Sequence, residues 1–339
     1  MKQTFANLPS NIDVAIRGIL SQEAGADWVK RASILHEQYT NRSSDKQKKR
    51  FVFDKVDSLA YLALRAPATY AQIYSTLLAL KEVLPSWQPK TMLDIGSGPG
   101  TGVWAAQNVW PELTEAVCID RNKEFISLGK YILSQAHIPI VTTWQLQDLQ
   151  RIEETEKQFD LIIVANVLNE LNVGDGEKLL GRAFNMCRGM MIVVEPGTPF
   201  GSSIVASVAK KFANAGTLLA PYIENSFVEK KEYWLHFPQR FIRPEFTRRI
   251  RQHMRDSSLM ASDWEEAKYS YVAISKIPGE NTVWGRCVGP VRVQKGFLEV
   301  PILTKDEIVQ MKVMKRDKEK YAAIKALAWG DLIKEPLRS

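Results

Sequence analysis

The glycine-rich turn over residues 96–100 is the stretch whose residue types point most directly to chemistry. It follows the apolar run Met92–Ile95, which predicts a buried strand, and it precedes Thr101, where a helix is predicted to begin. Glycines let a ligand approach the backbone closely, and the first helical turn leaves N–H groups that can donate to it. Asp94 completes the spacing D-x-G-x-G-x-G, which differs from the G-x-G-x-x-G fingerprint of nicotinamide cofactors. The turn is therefore predicted to bind a different cofactor.

Polar residues also stand at the ends of the next three apolar segments. Asp120 follows Ala116–Ile119, about 20 residues after the glycines, where a carboxylate can accept both hydroxyls of a ribose. Asp148 stands near the end of Val141–Leu149, and Asn166 lies just past the fourth apolar strand. Because the carboxyl ends of parallel strands meet at one edge of a sheet, these βα units predict an open parallel sheet with a ligand at its switch point.

The same spacing is similar to that of the class I S-adenosylmethionine-dependent methyltransferases. The resemblance implies an α/β, Rossmann-like, doubly wound sheet. In that fold the acid before the glycines lies near the amino group of the cofactor, and the acid after the second strand contacts the ribose. An acid after the third strand often contacts the adenine. The residues expected to bind S-adenosylmethionine are Asp94, Gly96, Ser97, Gly98, Gly100, Asp120, Arg121, Asp148, Leu149 and Asn166.

Three regions are predicted along the chain. Residues 1–88 are helical in pattern, residues 89–277 hold the cofactor-binding domain, and residues 278–339 form a small basic β-rich extension. The last helices of the first region lead directly into the first strand, so Arg65, Pro67 and Tyr70 are expected to lie beside the cofactor pocket and close it. A purely structural joint between two helices is the alternative at these positions.

Composition sets limits on the class of protein. Apolar residues make up 45% of the chain and charged residues 24%, as in an ordinary soluble globular protein. No apolar run approaches the roughly 18 residues that span a bilayer, and the first residues resemble neither a signal nor a transit peptide. We therefore expect a bacterial cytoplasmic protein that does not bind membranes. The scattered Cys118, Cys187 and Cys287 predict no disulfide framework and no metal site.

The positive charge is concentrated in the last third of the chain. Residues 1–227 contain 23 Lys and Arg against 23 Asp and Glu, whereas residues 228–339 contain 22 against 15. This asymmetry predicts a polyanionic partner, namely nucleic acid, although a solvated surface rich in lysine is the alternative. The spacing of Arg248, Arg251 and Arg255 would put three guanidinium groups on one face of a helix. The predicted RNA contacts are Arg240, Arg243, Arg248, Arg249, Arg251, Arg255, Lys312, Lys315, Arg316, Lys318 and Lys320.

Several longer motifs resemble a more specific family, the methyltransferase-like proteins of the mitochondrial small ribosomal subunit and their bacterial relatives. They include RAPATYA from Arg65, EPGTP from Glu195 and HFPQR from His236. The family implies a domain that binds S-adenosylmethionine and docks on small-subunit rRNA; we expect the chain to be a monomer off the ribosome. Family members carry cysteines between the positions of Pro221 and His236 for an iron–sulfur cluster or metal. This sequence has none there, so neither is expected.

The identity of the methyl acceptor stays open at this point. The position after the fourth strand lacks the Asn/Asp-Pro-Pro motif of amino-group methyltransferases, and it has no cysteine for attack on a pyrimidine carbon. Asn166, Glu170 and Glu195 are the candidate catalytic residues. Three functions compete: an rRNA methyltransferase, a non-catalytic small-subunit assembly factor that binds S-adenosylmethionine and rRNA, and a small-molecule methyltransferase. The basic last third disfavours the small-molecule enzyme.

Overall fold

The structure is a computed structural model, and it describes residues 5–22, 31–32, 34, 54–223, 227, 233–253, 262–279 and 283–335. Arg255, one of the predicted RNA contacts, lies outside these residues. The helices of the described chain are α1 (Ser10–Gln22), α2 (Lys55–Leu64), α3 (Ala66–Val83), α4 (Thr101–Val109), α5 (Lys123–Gln135), α6 (Val173–Asn185), α7 (Pro199–Phe212), α8 (Glu245–His253) and α9 (Lys318–Lys325). None of them is long and apolar enough to cross a membrane.

A central sheet of eight strands organises the described part of the chain. Its strands are β1 (Thr91–Ile95), β2 (Glu115–Asp120), β3 (Val141–Leu146), β4 (Phe159–Ala165), β5 (Cys187–Pro196), β6 (Thr217–Ala220), β7 (Phe237–Ile242) and β8 (Trp264–Ser275). They lie in the order β3-β2-β1-β4-β5-β8-β6, and β7 also pairs with β8. The first five strands are parallel and β8 is antiparallel to its neighbours. The predicted doubly wound α/β sheet is confirmed.

The strand order reverses between β1 and β4, which places the switch point of the sheet there. From β1 the chain winds outward to β2 and β3, and then returns to the other side of β1 with β4 and β5. Both central strands are apolar runs covered by helices on two faces, so their side chains are almost wholly buried. The crevice beyond the carboxyl ends of β1 and β4 is where open α/β sheets bind ligands.

The N-terminal helices pack onto the central sheet rather than standing apart from it. Helix α3 packs against α4 and β8, and α1 packs against α5 and α2. Asp54 caps α2 by accepting the N–H of Asp57 at 2.8 Å, and Pro67 occupies the first turn of α3, where a missing N–H costs nothing. Asn122, just after β2, donates its side-chain amide to the hydroxyl of Ser58 at 3.5 Å, which places α2 close to the carboxyl end of β2.

A second, antiparallel sheet follows between residues 285 and 333. Its strands are β9 (Gly285–Cys287), β10 (Arg292–Gln294), β11 (Phe297–Leu303), β12 (Ile308–Met314) and β13 (Leu332–Ile333). We call it the C-terminal sheet. One face carries Leu298, Val300 and Ile302, which form a small core with Ile324 of α9. The buried Arg286 anchors the sheet to the rest of the protein by donating to the carbonyl oxygen of Pro221 at 3.2 Å. The β-rich extension is present as predicted.

The sequence-based elements differ from the structure mainly around α7. Ser202–Leu219 is predicted as one helix, but the helix ends at Phe212 and Thr217–Ala220 forms β6 at the edge of the central sheet. The short, mostly apolar segment Thr217–Ala220 fits a continued helix as well as a buried strand, and only its pairing with Ala273 and the neighbouring residues of β8 decides between the two.

Candidate functional site

Three glycines shape the turn at the carboxyl end of β1. Gly96, Gly98 and Gly100 all have positive φ angles, of 69°, 54° and 91°, which side chains rarely adopt. A Cβ atom on Gly96 would lie 2.3 Å from Cγ2 of Val167, whereas a Cβ on Gly98 would meet nothing within 4 Å. The turn therefore packs tightly on one side and leaves open space above Gly98, directly before the N-terminus of α4.

Asp94 lies beneath this turn, and its carboxylate lacks full hydrogen bonding. The side chain is 2% exposed, and its Oδ2 atom has no hydrogen-bond partner among the described residues. A Cβ on Gly102 would lie 2.4 Å from that oxygen, so only glycine fits in the first turn of α4. Burial, and secondarily the nearby charge of Asp120, raise the pKa of Asp94 to about 7. Such a carboxylate is suited to a cationic or hydrogen-bond-donating ligand group.

Asp120 at the end of β2 is held in a fixed orientation beside the turn. Its Oδ2 accepts the backbone N–H of Gly98 at 2.8 Å, and its Oδ1 accepts that of Asn122 at 2.8 Å. Burial raises its pKa, although these hydrogen bonds act in the opposite direction. Each carboxylate oxygen has a second lone pair, so Asp120 can still accept from a ligand. Asp94 and Asp120 therefore converge on the glycine turn, as the sequence predicts.

The third strand contributes a looser wall of the crevice. Asp148 is exposed and accepts the N–H of Gln150 at 3.0 Å, which caps a short 3-10 helix over residues 149–151. Leu149 follows it, with Cδ1 3.6 Å from the position of a Cβ on Gly96. Leu149 and Val167 thus place apolar side chains against the glycine turn, and Asp148 stands at the solvent side of this wall.

Trp144 on β3 is a wall residue that sequence reasoning missed. Its ring covers two glycines: a Cβ on Gly100 would lie 3.1 Å from Cη2, and a Cβ on Gly129 would lie 2.2 Å from the same atom. The indole N–H donates to Thr142 at 3.1 Å. A lone glycine inside the strong helical pattern of α5 is the signal that a large side chain packs there.

Asn166 follows β4 in a strained conformation, with φ of 57° although it is not glycine. Its side-chain amide donates to Oε1 of Gln72 on α3 at 3.2 Å, and Gln72 in turn donates to the carbonyl of Lys268 at 3.0 Å. The Oδ1 atom of Asn166 is buried and has no partner among the described residues. Gln72 was not predicted, because 94 residues separate it from Asn166.

Glu195 and Glu170 occupy different places from those expected of catalytic residues. Glu195 is 0% exposed, and its carboxylate accepts the N–H groups of Val167 and Leu168 at 3.2 and 2.9 Å and the amide of Asn169 at 2.6 Å. Burial raises its pKa to about 7. These hydrogen bonds fix the loop that follows β4, so Glu195 is a positioning residue. Glu170 is at the surface and pairs with Arg121 at 3.3 Å.

The three residues expected to close the pocket lie in different environments around the joint between α2 and α3. Arg65 lies at the joint near the half-buried Tyr61, and the charges of Arg65, Glu170 and Asp120 all act on the Tyr61 hydroxyl. Pro67 is buried in the first turn of α3. Tyr70 points elsewhere: it is fully buried, and its hydroxyl accepts the amide of Asn108 in the last turn of α4 at 2.7 Å. Tyr70 is thus a packing residue between two helices.

Two of the predicted RNA contacts are buried. Arg243 and Arg251 are each 4% exposed. Both pair with Glu265 on β8: Arg243 at 3.3 Å, and Arg251 at 2.7 and 2.9 Å to the two carboxylate oxygens. Their assignment to an RNA surface is wrong, because a paired guanidinium inside the protein cannot reach a phosphate. Arg248 is 42% exposed whereas Arg251 is buried, so these two do not share the exposed face that their spacing predicts.

The neighbouring arginines are more exposed but also paired. Arg240 stacks over the ring of Trp264 at 4.2 Å and approaches Glu266 at 3.8 Å. The other two ion pairs join Arg248 to Asp263 at 3.7 Å and Arg249 to Glu245 one helical turn away. We call Arg240, Arg243, Arg248, Arg249 and Arg251 the arginine cluster.

The remaining predicted RNA contacts lie at one end of the C-terminal sheet. Lys312 is on β12, Lys315 and Arg316 are in the turn after it, and Lys318 opens α9; all four are exposed. Lys320 is half-buried on the same helix. No grouping of His, Cys, Asp or Glu that could hold a metal occurs within the described residues.

Sequence comparison identifies the family. A sequence model of the family described as "Mitochondrial small ribosomal subunit Rsm22" matches residues 55–334. The chain belongs to the Rsm22 family. The match covers the glycine turn, both buried acids, the arginine cluster and the C-terminal sheet, so the whole candidate site lies inside the family's common region.

Curated relatives of the Rsm22 family are similar over most of this chain. The human "Ribosome assembly protein METTL17, mitochondrial" is 24% identical over 294 residues, which cover 81% of this chain and 62% of METTL17. The "Rsm22-cox11 tandem protein 2, mitochondrial" of Schizosaccharomyces pombe is 25% identical over 332 residues, with 81% of this chain and 42% of that protein covered. The chain therefore spans less than two thirds of the length of these relatives.

The expected bacterial cytoplasmic location is wrong, because the matched family and both relatives are described as mitochondrial. Similar solved structures include the plantazolicin methyltransferase BpumL with SAH, at 12% identity and a TM-score of 0.39 over 76% of this chain and 99% of that one. Another is magnesium protoporphyrin IX methyltransferase from Synechocystis PCC 6803 with SAM, at 10% identity and a TM-score of 0.37 over 60% and 93%.

Proposed function

We propose that this Rsm22-family protein binds S-adenosylmethionine at the switch point of its central sheet and acts with small-subunit rRNA during ribosome assembly. The observation that carries the cofactor assignment is the pair of buried acids at the glycine turn. Asp94 has an oxygen without a partner, and Asp120 is oriented by two backbone N–H groups. Two buried carboxylates with this little compensation favour a ligand that brings hydrogen-bond donors and a positive charge.

The residues present fit the three parts of this cofactor. Asp94 would accept from the amino group of the methionine moiety, and Asp120 would accept from the ribose hydroxyls. Leu149 and Val167 offer apolar contacts for the adenine, and the exposed Asp148 stands where it can accept from the adenine amine. The open space over Gly98 gives the ligand access to the backbone. S-adenosylmethionine, when bound, supplies an electrophilic methyl group.

The role in assembly is proposed from the family rather than from the site. The human relative is a ribosome assembly protein by name, and the family is one of the small ribosomal subunit. Neither Glu170 nor Glu195 is positioned as a base, since the first pairs with Arg121 and the second holds a loop. These contacts favour binding over acid–base catalysis.

A calorimetric titration with S-adenosylmethionine tests the cofactor assignment. We expect the wild-type protein to bind, and Asp120→Ala to weaken binding by about 1.5–3 kcal/mol, roughly 10- to 150-fold, since charged hydrogen bonds to two hydroxyls are lost. Glu112→Ala removes an acid that is 72% exposed and serves as the matched control, with unchanged affinity. Absence of binding by the wild type, or equal affinity for Asp120→Ala, would refute the assignment.

Methyl transfer to rRNA is the second candidate function, and one observation favours it. Asn166 keeps a strained backbone and an unpartnered buried oxygen beside Gln72, at the carboxyl end of β4. Positioning by two amides is enough for an acceptor that is already a good nucleophile. We expect Gln72→Ala to reduce transfer of labelled methyl groups to immature small subunits more than tenfold while cofactor binding persists. If the cofactor-bound wild-type protein transfers no methyl groups, methyl transfer to rRNA is excluded and only the assembly role remains.

A further inference from the structure

Two turns of the C-terminal sheet lie side by side and present a group of cations. The turn at Lys295-Gly296 joins β10 to β11, and the backbone N–H of Lys315, just after β12, donates to the carbonyl of Gly296 at 2.8 Å. Lys295, Lys315 and Arg316 are therefore held together at one end of the sheet, and all are exposed. We call Lys295, Lys312, Lys315, Arg316 and Lys318 the basic tip.

The charges of the basic tip are not neutralised within the protein. None of its five residues forms an ion pair with any acid in the described ranges, although Asp317 and Glu319 are close in sequence. Lys312 is instead held over the ring of Phe297, with Nζ 3.9 Å from the ring centroid. Unpaired, closely spaced cations repel one another, so a polyanion that binds them relieves this repulsion.

Apolar side chains are exposed beside these cations. Val293 on β10 is 55% exposed although its cross-strand partner Leu298 is buried, and Met314 on β12 is 38% exposed opposite the half-buried Phe297. Gln294, Phe297 and Met314 occupy one rung across three strands. The basic tip is thus bordered by apolar surface at both turns.

We infer that the basic tip is a binding site for unpaired RNA. Phosphates would contact the five cations, and unstacked bases would cover Val293 and Met314. A regular RNA helix offers phosphates but keeps its bases stacked inside, so it leaves the apolar side chains exposed. An acidic protein segment would use the same cations, and it is an alternative outcome of the test. The class of partner rests on the proposed function; the location of the site rests on the contacts described here.

The test is filter binding of the full chain to a 20-nucleotide unstructured RNA and to an RNA duplex of equal length, at about 0.1 M salt. One variant carries Lys295→Ala, Lys315→Ala and Arg316→Ala, and a control carries Lys130→Ala, Lys178→Ala and Lys210→Ala, three exposed lysines of the methyltransferase-type domain. Losing three phosphate contacts should weaken single-strand binding on the order of a hundredfold. The control should bind within about threefold of wild type.

A second variant tests the contacts to bases separately from the contacts to phosphates. Val293→Ser with Met314→Ser keeps every charge, and it should weaken single-strand binding several-fold while duplex binding is unchanged. Equal binding by the triple tip variant and the control would overturn the inference, as would wild-type preference for duplex, or for poly-glutamate over RNA. The cofactor titration is an independent readout: RNA binding without cofactor binding refutes only the cofactor part of the proposed function, whereas RNA binding that the triple tip variant retains refutes only the basic tip.

Discussion

The arginine cluster and the basic tip have similar charge in the sequence but opposite environments in the structure. In the cluster, Arg243 and Arg251 are buried on Glu265, and the remaining members have acids of their own. At the tip, all five cations are exposed, and none of them forms an ion pair with an acid in the part of the chain that the structure describes. The cluster therefore stabilises the joint between β8 and α8, whereas the tip is available to a partner.

The difference follows from the side chains and from where the chain places them. Arginine has a planar fork that binds a carboxylate with two parallel hydrogen bonds, so it suits a buried pair. In the cluster, Nη2 of Arg251 donates to both oxygens of Glu265, and Nε of Arg243 donates to one of them. Lysine keeps its hydration more strongly and is favoured in exposed turns such as Lys295-Gly296. A count of basic residues per segment cannot separate these two uses.

Removing one acid from each region should give the largest contrast. Glu265→Ala would leave Arg243 and Arg251 buried without their partner, and we expect it to lower the free energy of unfolding by about 2–4 kcal/mol. Glu299→Ala, opposite Lys312 on β11, should change it by less than about 0.5 kcal/mol. Urea unfolding measures both. A loss below about 1 kcal/mol for Glu265→Ala would mean that the arginine cluster does not stabilise this joint.

The pH dependence of binding should separate the acids from both basic regions. Lys and Arg stay charged between pH 6 and 8, whereas the pKa of Asp94 is raised to about 7 in the cofactor-free protein. Because the cofactor's amino group favours the ionised carboxylate, protons are released on binding, and affinity should fall about tenfold from pH 8 to pH 6. RNA affinity should stay within about twofold over this range.

Calorimetry at both pH values checks this prediction, with Asp94→Asn as the control. The variant should bind the cofactor more weakly and show almost no pH dependence. Equal pH dependence in the variant would mean that a different group titrates.

The exposed members of the arginine cluster should give the smallest effect. Arg248 and Arg249 are 42% and 72% exposed, and their pairs with Asp263 and Glu245 are at the surface. Arg248→Ala with Arg249→Ala should change the free energy of unfolding by less than about 0.5 kcal/mol per pair. RNA affinity should change less than about threefold. A tenfold loss of RNA affinity in filter binding would mean that the arginine cluster does contact RNA.

Local backbone patterns predicted the part of the site that the backbone itself builds. The glycine turn with Asp94 and the strand-end positions of Asp120 and Asn166 follow from strand and helix signals within a few residues. Contacts between distant segments were not predictable in this way. Gln72 reaches Asn166 across 94 residues, and Trp144 covers a glycine on the neighbouring helix.

Charge partners belong to the same class of long-range information. Arg243 and Glu265 are 22 residues apart, and only the pairing of β7 with β8 brings their segments together. Helical spacing put Arg248 and Arg251 on one surface, but one is exposed and the other is buried. The contact of Tyr70 with Asn108 on α4 is also long-range, and the position of Tyr70 on α3 does not reveal it. Sequence alone therefore placed Tyr70 at the pocket.

The salt dependence of RNA binding tests the central claim, that the basic tip and not the arginine cluster neutralises phosphates. Wild type, the triple tip variant Lys295→Ala/Lys315→Ala/Arg316→Ala and the double variant Arg248→Ala/Arg249→Ala are titrated with the same RNA from about 0.05 to 0.2 M salt. The log–log slope should become shallower by about 2–3 for the tip variant, because each phosphate contact contributes roughly 0.7–0.9, and it should not change for the double variant. A change in slope for the double variant with none for the tip variant would contradict the claim.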